Sequence, residues 1–230
     1  MSNDVLALAD DKLMLGHTQS DWTGLGPILE EDIASSAMAQ DDLSHATVLY
    51  EALGEDPDAL AFGRAAADYR CCDLVTVPDE LDWAMATVRR FICAHFATIV
   101  LEDLAKGEGD IPERASRLLI EQRLQTEHLD AWIRRLGRGG DDAKGRMQHA
   151  FDTLAPHAGM LFEAIDNRAD RHARWCAAIA SPIADAGLTM HTDLPDESVH
   201  GGRRGAHADH FVEQHAEMTQ VWAEDPTAAW

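Results

Sequence analysis

Two side chains that could bind a metal ion stand three residues apart in the first half of the chain. Asp42 and His45 lie in a proline-free run that follows Pro27 and extends to Leu53. On an α-helix, positions i and i+3 share one face, so this carboxylate and imidazole could grip one ion. In carboxylate-bridged di-metal bundles, two helices each supply Glu-x-x-His and two others each supply a carboxylate. A site of that kind would need further ligands from other helices.

The same pair also has a purely structural interpretation. A buried carboxylate and imidazole can be satisfied by each other and by a neighbouring helix. Buried charges persist only with partners, because an uncompensated charge in the core is expensive. We favour this interpretation of Asp42 and His45 over metal binding.

Composition limits the class of protein. A chain of 230 residues, 46% of them apolar, can bury the core of one large domain. Its formal charge of −22 repels phosphate backbones and anionic lipids, which disfavours nucleic acid and membrane as partners. The four cysteines lack C-x-x-C spacing, and the sequence shows neither a secretion signal nor a membrane span. We therefore expect reduced thiols and a cytoplasmic location.

The residue pattern predicts an all-α fold. Runs of β-branched residues are scarce, the chain has six Phe and two Tyr, and turns rich in Gly and Pro separate segments of helical periodicity. We predict long helices over about residues 3–22, 27–53, 79–105 and 111–136, and shorter helical segments over about 59–69, 141–154, 156–165, 170–183 and 207–222. This pattern is typical of a single domain, with an antiparallel four-helix bundle of about 3–136 and a C-terminal helical extension of about 141–230.

The C-terminal region is rich in histidine and contains a glycine–arginine turn. His207-x-x-His210 has the spacing of a helical zinc pair, but no cysteine or second close pair accompanies it. We favour a solvated face for the histidines of this region, His191, His200, His207, His210 and His215. Arg203 and Arg204, within Gly201-Gly202-Arg203-Arg204-Gly205, could offer guanidinium groups and backbone donors to a phosphate. A tight turn with arginine ion pairs is the interpretation that we place slightly ahead.

A series of short motifs follows in order along nearly the whole chain. In the N-terminal half they are Leu15-Gly16-His17, Ser20-Asp21-Trp22, the segment 24–34, and Ala39-Gln40-Asp41-Asp42-Leu43-Ser44-His45-Ala46. Further along they are Val88-Arg89-Arg90-Phe91, Leu101-Glu102-Asp103-Leu104, Trp132-x-x-Arg135-Leu136-Gly137, Arg146-Met147-Gln148 and Leu161-Phe162-Glu163. The last are Gly201-Gly202-Arg203-x-Gly205-x-His207, Ala216-Glu217-Met218, Pro226 and Trp230. In this order the motifs resemble those of the C-type proteins of the ring-1,2-phenylacetyl-CoA epoxidases. Each motif is weak alone, and their common order makes the match specific.

The resemblance implies a ferritin-like four-helix bundle that belongs to a multicomponent oxygenase. In that family the A-type sister protein holds a di-iron centre and epoxidises the ring of phenylacetyl-CoA, while a flavin and iron–sulfur reductase supplies electrons. The C-type protein pairs with the A-type protein as a structural partner. The resemblance therefore implies an A-type chain as partner, an acyl-CoA substrate at or near the complex, and a non-catalytic role without a cofactor for this chain.

Matched to the metal set of the A-type proteins, this sequence shortens some ligands and loses others. The positions that survive are Asp21, Asp42 and His45, where Asp twice replaces Glu. The degraded positions are Ala94 on the third helix, and Gln122 and Gln125 on the fourth. Neutral amides are weak ligands and a methyl group does not ligate, so a di-iron cage is not expected. A rearranged site could still hold iron through the surviving residues together with His95, Glu121 or His128.

Three functions are open at this point. The leading hypothesis is a structural C-type subunit that scaffolds a di-iron A-type subunit in aromatic catabolism. The second is a metal-dependent oxygenase in its own right, which iron bound at Asp42 and His45 would distinguish. The third is a homodimeric ferritin-like binding protein that self-associates and has no oxygenase partner.

Overall fold

The computed structural model of the chain describes residues 2–78, 80, 82–193 and 201–225. No strand occurs in these residues, and their regular structure is helical, which confirms the all-α prediction. His200, Pro226 and Trp230, named among the sequence features, lie outside the described residues. The chain divides into two units, Met1–Pro78 with His200–Trp230 and Asp79–Val199.

The long helices lie where the periodicity of the sequence predicts them. The α-helices of the described residues are α1 (Ser2–Ser20), α2 (Leu29–Glu51), α3 (Pro57–Phe62), α4 (Trp83–Leu104), α5 (Asp110–Gly137), α6 (Asp141–Leu154), α7 (Arg168–Asp185), α8 (Asp209–Met218) and α9 (Gln220–Glu224). Short 3₁₀ segments cover Ala66–Asp68, Asp73–Thr76, Ala155–Phe162 and Gly202–Arg204.

Three of the shorter predicted helices differ from the structure, and one of them, predicted over 207–222, is divided at Thr219 into α8 and α9. The segment predicted over 59–69 stops at Phe62, because Gly63 caps the helix with its N–H on the carbonyl oxygen of Ala59 at 3.0 Å. The segment predicted over 156–165 forms a 3₁₀ helix, in which Gly159 follows closely on Pro156. Glycine disfavours a regular α-helix at Gly63 and Gly159 because it costs backbone entropy, whereas Pro156 lies in the first turn, where proline is tolerated.

In the first unit, α1 and α2 form an antiparallel pair. Gly16 allows their close approach, since a Cβ at that position would lie 3.1 Å from the carbonyl oxygen of Ala39. Helix α1 is buried around most of its surface, and it buries three consecutive charged residues, Asp10, Asp11 and Lys12. Asp10 accepts hydrogen bonds from Tyr50 Oη at 2.6 Å and Arg64 Nη2 at 2.5 Å. Charged contacts as well as apolar packing therefore hold this unit together.

In the second unit, α4 packs against α5, α6 and α7. Helix α4 is long and apolar enough to cross a membrane by length and composition, but almost all of its apolar window is buried inside the protein. Trp175 on α7 is buried and donates from Nε1 to the carbonyl oxygen of Ile92 at 3.1 Å. These features are those of a core helix surrounded by partners.

Each unit thus contains one long helical hairpin, α1 with α2 and α4 with α5. Such hairpins are the elements of a ferritin-like four-helix bundle, and the helical architecture is consistent with that class. The division into two units does not test the single domain predicted with a core of about 3–136 and an extension of about 141–230, which stays a prediction.

A charged cluster joins α4 to α7 in the second unit. Asp103 accepts hydrogen bonds from Arg171 Nε at 2.9 Å, Arg174 Nη1 at 2.7 Å and Lys106 Nζ at 2.7 Å. Burial alone would raise the pKa of Asp103, but the three cations outweigh it and lower the pKa to about 2. The ionised carboxylate is therefore strongly favoured in the folded chain.

We expect Asp103→Asn to make the chain less sensitive to acid. A carboxyl whose pKa falls on folding stabilises the fold above its ordinary pKa of about 4, and this contribution is lost as the pH falls towards 2. The variant should lose about 1–2 kcal/mol of unfolding free energy near neutral pH, after allowance for solvent screening. Urea denaturation across the pH range should show this difference shrinking between about pH 4 and pH 2. A difference that does not change with pH would contradict the prediction.

Candidate functional site

Helix α2 carries the pair of potential ligands. Its first turn contains Glu30, Glu31 and Asp32, which complement the positive end of the helix dipole. Further along the helix, Asp42 is 1% exposed and His45 is fully buried. The spacing of three residues thus places both side chains on the buried side of α2.

The cation that faces Asp42 is a lysine of the neighbouring helix. Lys12 Nζ on α1 lies 2.5 Å from Asp42 Oδ1, and both side chains are buried. The ammonium group supplies at that oxygen the positive charge that a metal ion would otherwise supply. This geometry agrees with a buried carboxylate satisfied by a neighbouring helix. Lys12 was not among the partners that the sequence pattern indicated for Asp42.

Sequence reasoning missed Lys12, although a signal for it was present. Three consecutive charged residues interrupt the apolar segment 5–15. Charges within an apolar helix are expected to be buried with partners. In the structure each of the three has a partner of opposite charge: Asp10 pairs with Arg64, Asp11 with Arg203, and Lys12 with Asp42.

Asp21 lies at a different level of the helix pair. Helix α1 ends at Ser20, and Asp21 is exposed in the turn that follows. Thr23 in the same turn contacts Ser36 at 3.2 Å between the hydroxyl oxygens. Ser36 lies about 9 Å along the axis of α2 from Asp42, at 1.5 Å per residue. The structure therefore does not bring Asp21 to Asp42, and the assignment of Asp21 as a ligand stays a prediction.

In the second unit, the degraded positions lie on the buried sides of α4 and α5. Gln122 Nε2 donates to the carbonyl oxygen of Ala94 at 3.2 Å, and both residues are buried, as is Gln125. His95 Nε2 lies 2.9 Å from Asp130 Oδ1 on α5. The amide of Gln122 and the ring of His95 thus tie α4 to α5.

Two further candidates lie on more exposed parts of α5. Glu121 is exposed, and His128 is half-buried with its ring centroid 6.5 Å from that of Trp132. Their roles as ligands in a rearranged iron site stay predictions.

The donor set does not fit a di-iron centre of the A type. The carboxylate of Asp42 is engaged by the ammonium of Lys12, Ala94 has no donor atom, and the amide nitrogen of Gln122 is engaged by backbone. Two bridged iron ions need several anionic ligands, which neutral amides do not replace. Among the residues that the structure describes, no three His, Cys, Asp or Glu side chains come together as a metal-binding group.

The glycine–arginine turn is built around a buried ion pair. Arg203 Nη2 lies 2.7 Å from Asp11 Oδ2, and Arg203 Nη1 donates to the carbonyl oxygen of Arg70 at 3.0 Å. Two backbone N–H groups of the turn, from Arg204 and Gly205, bond to carbonyl oxygens within it. This arrangement agrees with a tight turn with an arginine ion pair. Arg204 is exposed, and its contact with a phosphate stays a prediction.

Burial and charge act in opposite directions on this ion pair. Burial raises the pKa of Asp11, while the Arg203 guanidinium and the amide of Cys72 favour the carboxylate. Burial would lower the pKa of Arg203, but Asp11 outweighs that effect and raises it. Because both oxygens of Asp11 accept from Arg203 and one also accepts from the Cys72 N–H at 2.8 Å, we treat the pair as ionised.

The histidines of α8 and of the turn before it pack against the N-terminal part of the first unit. His207 Nδ1 lies 2.5 Å from Asp73 Oδ1 and its side chain is 1% exposed, so the predicted solvated face is wrong for this residue. The Asp73 carboxylate gives the buried His207 ring a hydrogen-bond partner. His210 Nε2 also contacts Asp73, at the carbonyl oxygen and 3.2 Å. Burial lowers the pKa of His215. His191 is exposed, as predicted.

Comparison with known proteins agrees with the motifs in the sequence. The sequence profile of the family described as "Phenylacetic acid catabolic protein" matches residues 1–230. The chain is also 28% identical over 246 residues to the C component of 1,2-phenylacetyl-CoA epoxidase of Escherichia coli (strain K12). That alignment covers 98% of this chain and 97% of the relative. The chain therefore belongs to the phenylacetic acid catabolic protein family.

Proposed function

We propose that this chain is the structural C-type subunit of a multicomponent phenylacetyl-CoA ring-1,2-epoxidase and works in the cytoplasm. Its relative is named as the C component of such an epoxidase, and the two chains align over nearly their full lengths. In this proposal a di-iron A-type subunit performs the oxygen chemistry. The present chain holds that subunit and helps to shape the route of the acyl-CoA.

The observation that carries the non-catalytic role is the contact between Lys12 and Asp42. The ammonium nitrogen lies 2.5 Å from a carboxylate oxygen that the motif places at a ligand position. A lysine there supplies a positive charge from the chain itself, so the carboxylate can stay buried without a metal ion. The amide of Gln122 also makes a structural contact, because its hydrogen bond to the carbonyl oxygen of Ala94 joins α5 to α4.

Metal analysis of the purified chain, produced with iron available, tests this role. We expect iron, manganese and zinc well below one equivalent, with no further loss in Asp42→Asn or His45→Ala. Asp42→Asn keeps the shape of the side chain but removes the charge opposite the buried Lys12, so thermal unfolding of each variant is measured beside its metal content. Near-stoichiometric metal that both variants lose would contradict the proposal and support a metal-dependent oxygenase with a rearranged site.

Reconstitution tests the partnership directly. The A-type subunit of the same organism and the reductase would be assayed for epoxidation of phenylacetyl-CoA, with and without this chain. We expect turnover to depend on both subunits together. Turnover by this chain and the reductase alone would contradict the proposal. A stable homodimer that does not bind the A-type subunit would instead support a binding protein without an oxygenase partner.

A further inference from the structure

The turn between α1 and α2 presents a group of exposed apolar side chains. Leu25 is 54% exposed and Ile28 is 41% exposed. On the first two turns of α2, Leu29 is 70% exposed and Ile33 is 60% exposed. We call these four residues the α2 apolar patch. Leu29 and Ile33 are four residues apart and therefore share one face of the helix.

Hydrogen bonds connect the backbone that carries the α2 apolar patch to the side chain of Asp32. Asp32 Oδ1 accepts hydrogen bonds from the N–H groups of Gly24 at 2.8 Å and Gly26 at 3.1 Å. Gly26 also packs closely on Asp32, since a Cβ at that glycine would lie 2.7 Å from the Asp32 Cα. Trp22, which is buried, anchors the turn, and its carbonyl oxygen accepts from the Leu25 N–H at 2.9 Å. A surface ordered in advance loses less entropy when a partner binds.

The exposed charged residues nearest to the α2 apolar patch in the sequence are acidic. Between Lys12 and Arg64 the sequence contains ten acidic residues and no lysine or arginine. Within this stretch Asp21 and Glu30 are exposed, and Asp32 is half-buried. The apolar side chains are therefore bordered by negative charge.

This charge pattern disfavours a two-fold symmetric dimer through the α2 apolar patch. In a two-fold symmetric dimer the same patch faces itself, so Asp21 and Glu30 of one copy would approach those of the other. Like charges brought together at an interface oppose association. A different chain, with an apolar centre and a border of lysine and arginine, would meet the patch without that repulsion.

We infer that the α2 apolar patch is the docking surface for a heterologous protein partner whose complementary face is apolar with a basic border. Because the partner is taken to be the A-type subunit, this inference rests on the proposed function. Leu29 and Ile33 form the centre of the contact, and Glu30 contributes to its charged border.

The test measures the binding of the purified A-type subunit of the same organism to the full chain and its variants. Leu29→Asp combined with Ile33→Asp should raise Kd by about 30-fold or more, as expected when central apolar contacts are lost. Ile120→Asp is the matched control: Ile120 is 67% exposed on α5, between Arg117 and Arg123 in sequence. This control should leave Kd within about threefold of the parent, as for a residue outside the contact.

The charged border gives a second readout. Glu30→Lys should weaken binding and make Kd less dependent on salt, because screened attraction between opposite charges is part of the contact. All the substituted residues are exposed, so circular dichroism and thermal unfolding should show that the variants stay folded.

The possible outcomes separate this inference from the proposed function. If the parent binds the A-type subunit and the double variant binds equally well, the docking surface is wrong and the partnership stands. If the folded parent does not bind the A-type subunit at all, both are overturned. If the parent forms a homodimer that the double variant abolishes, the occupant is a second copy and the inference is overturned.

Discussion

Lys12→Met should lower the free energy of unfolding by about 3–5 kcal/mol, the usual effect of removing one partner of a buried ion pair. Methionine keeps much of the length and volume of lysine but removes the ammonium group that lies 2.5 Å from Asp42. The carboxylate, 1% exposed, then loses the charge that offsets its desolvation. Urea denaturation near neutral pH measures the loss.

The chain offers a matched control for this variant in an exposed lysine–aspartate pair. Lys106 lies 2.7 Å from Asp103, but its side chain is 71% exposed. Lys106→Met should therefore cost no more than about 1 kcal/mol. The double variant Lys12→Met with Asp42→Asn should be more stable than Lys12→Met alone, since it removes both buried charges. If the two single lysine variants cost the same, Lys12 does not compensate Asp42.

The helices were predictable because their signals are local. Helix α5 has apolar residues at helical spacing, and the glycines at Gly139 and Gly140 follow its end at Gly137. The 3₁₀ segment Ala155–Phe162 was harder to foresee, because Pro156 is also compatible with the first turn of an α-helix. Whether an α-helix or a 3₁₀ helix follows depends on the residues after Pro156, which include Gly159.

The candidate site was predictable in part. The spacing of Asp42 and His45 identified two buried residues of α2, and motif matching pointed to Ala94 and Gln122, which are buried on α4 and α5. Lys12 was missed because it lies 30 residues before Asp42, and the pairing exists only once α1 packs on α2. An ion pair between helices depends on tertiary packing, which spacing along one helix does not encode.

The C-terminal segment illustrates the same limit over a longer distance. Histidine-rich composition suggested a solvated face, yet His207 is buried against Asp73, a residue 134 positions earlier. Polar residues are usually exposed, and a buried one needs a partner that the local sequence does not reveal. Arg203 and Asp11 pair across an even longer separation of 192 positions.

Arg203→Met should release the C-terminal segment 201–225 from the rest of the first unit. Asp11 accepts from the Arg203 guanidinium and from the Cys72 N–H, so one carboxylate joins α1, the segment around Cys72 and the glycine–arginine turn. Removing the guanidinium leaves a buried carboxylate without its cation, which should cost about 3–5 kcal/mol. Amide hydrogen exchange in 201–225 should accelerate by about 100-fold or more, if the loss falls mainly on local opening.

Arg204→Met is the matched control for this prediction. Arg204 is the next residue of the same turn, and it is exposed where Arg203 is buried. Its replacement should change stability by no more than about 0.5 kcal/mol, as for most surface positions. Asp11→Asn added to Arg203→Met should restore part of the loss, since the buried negative charge is then removed as well. Equal exchange rates in the two arginine variants would show that the buried ion pair does not hold the segment, and that the histidine contacts with Asp73 and the packing of Phe211 on Tyr69 hold it without that pair.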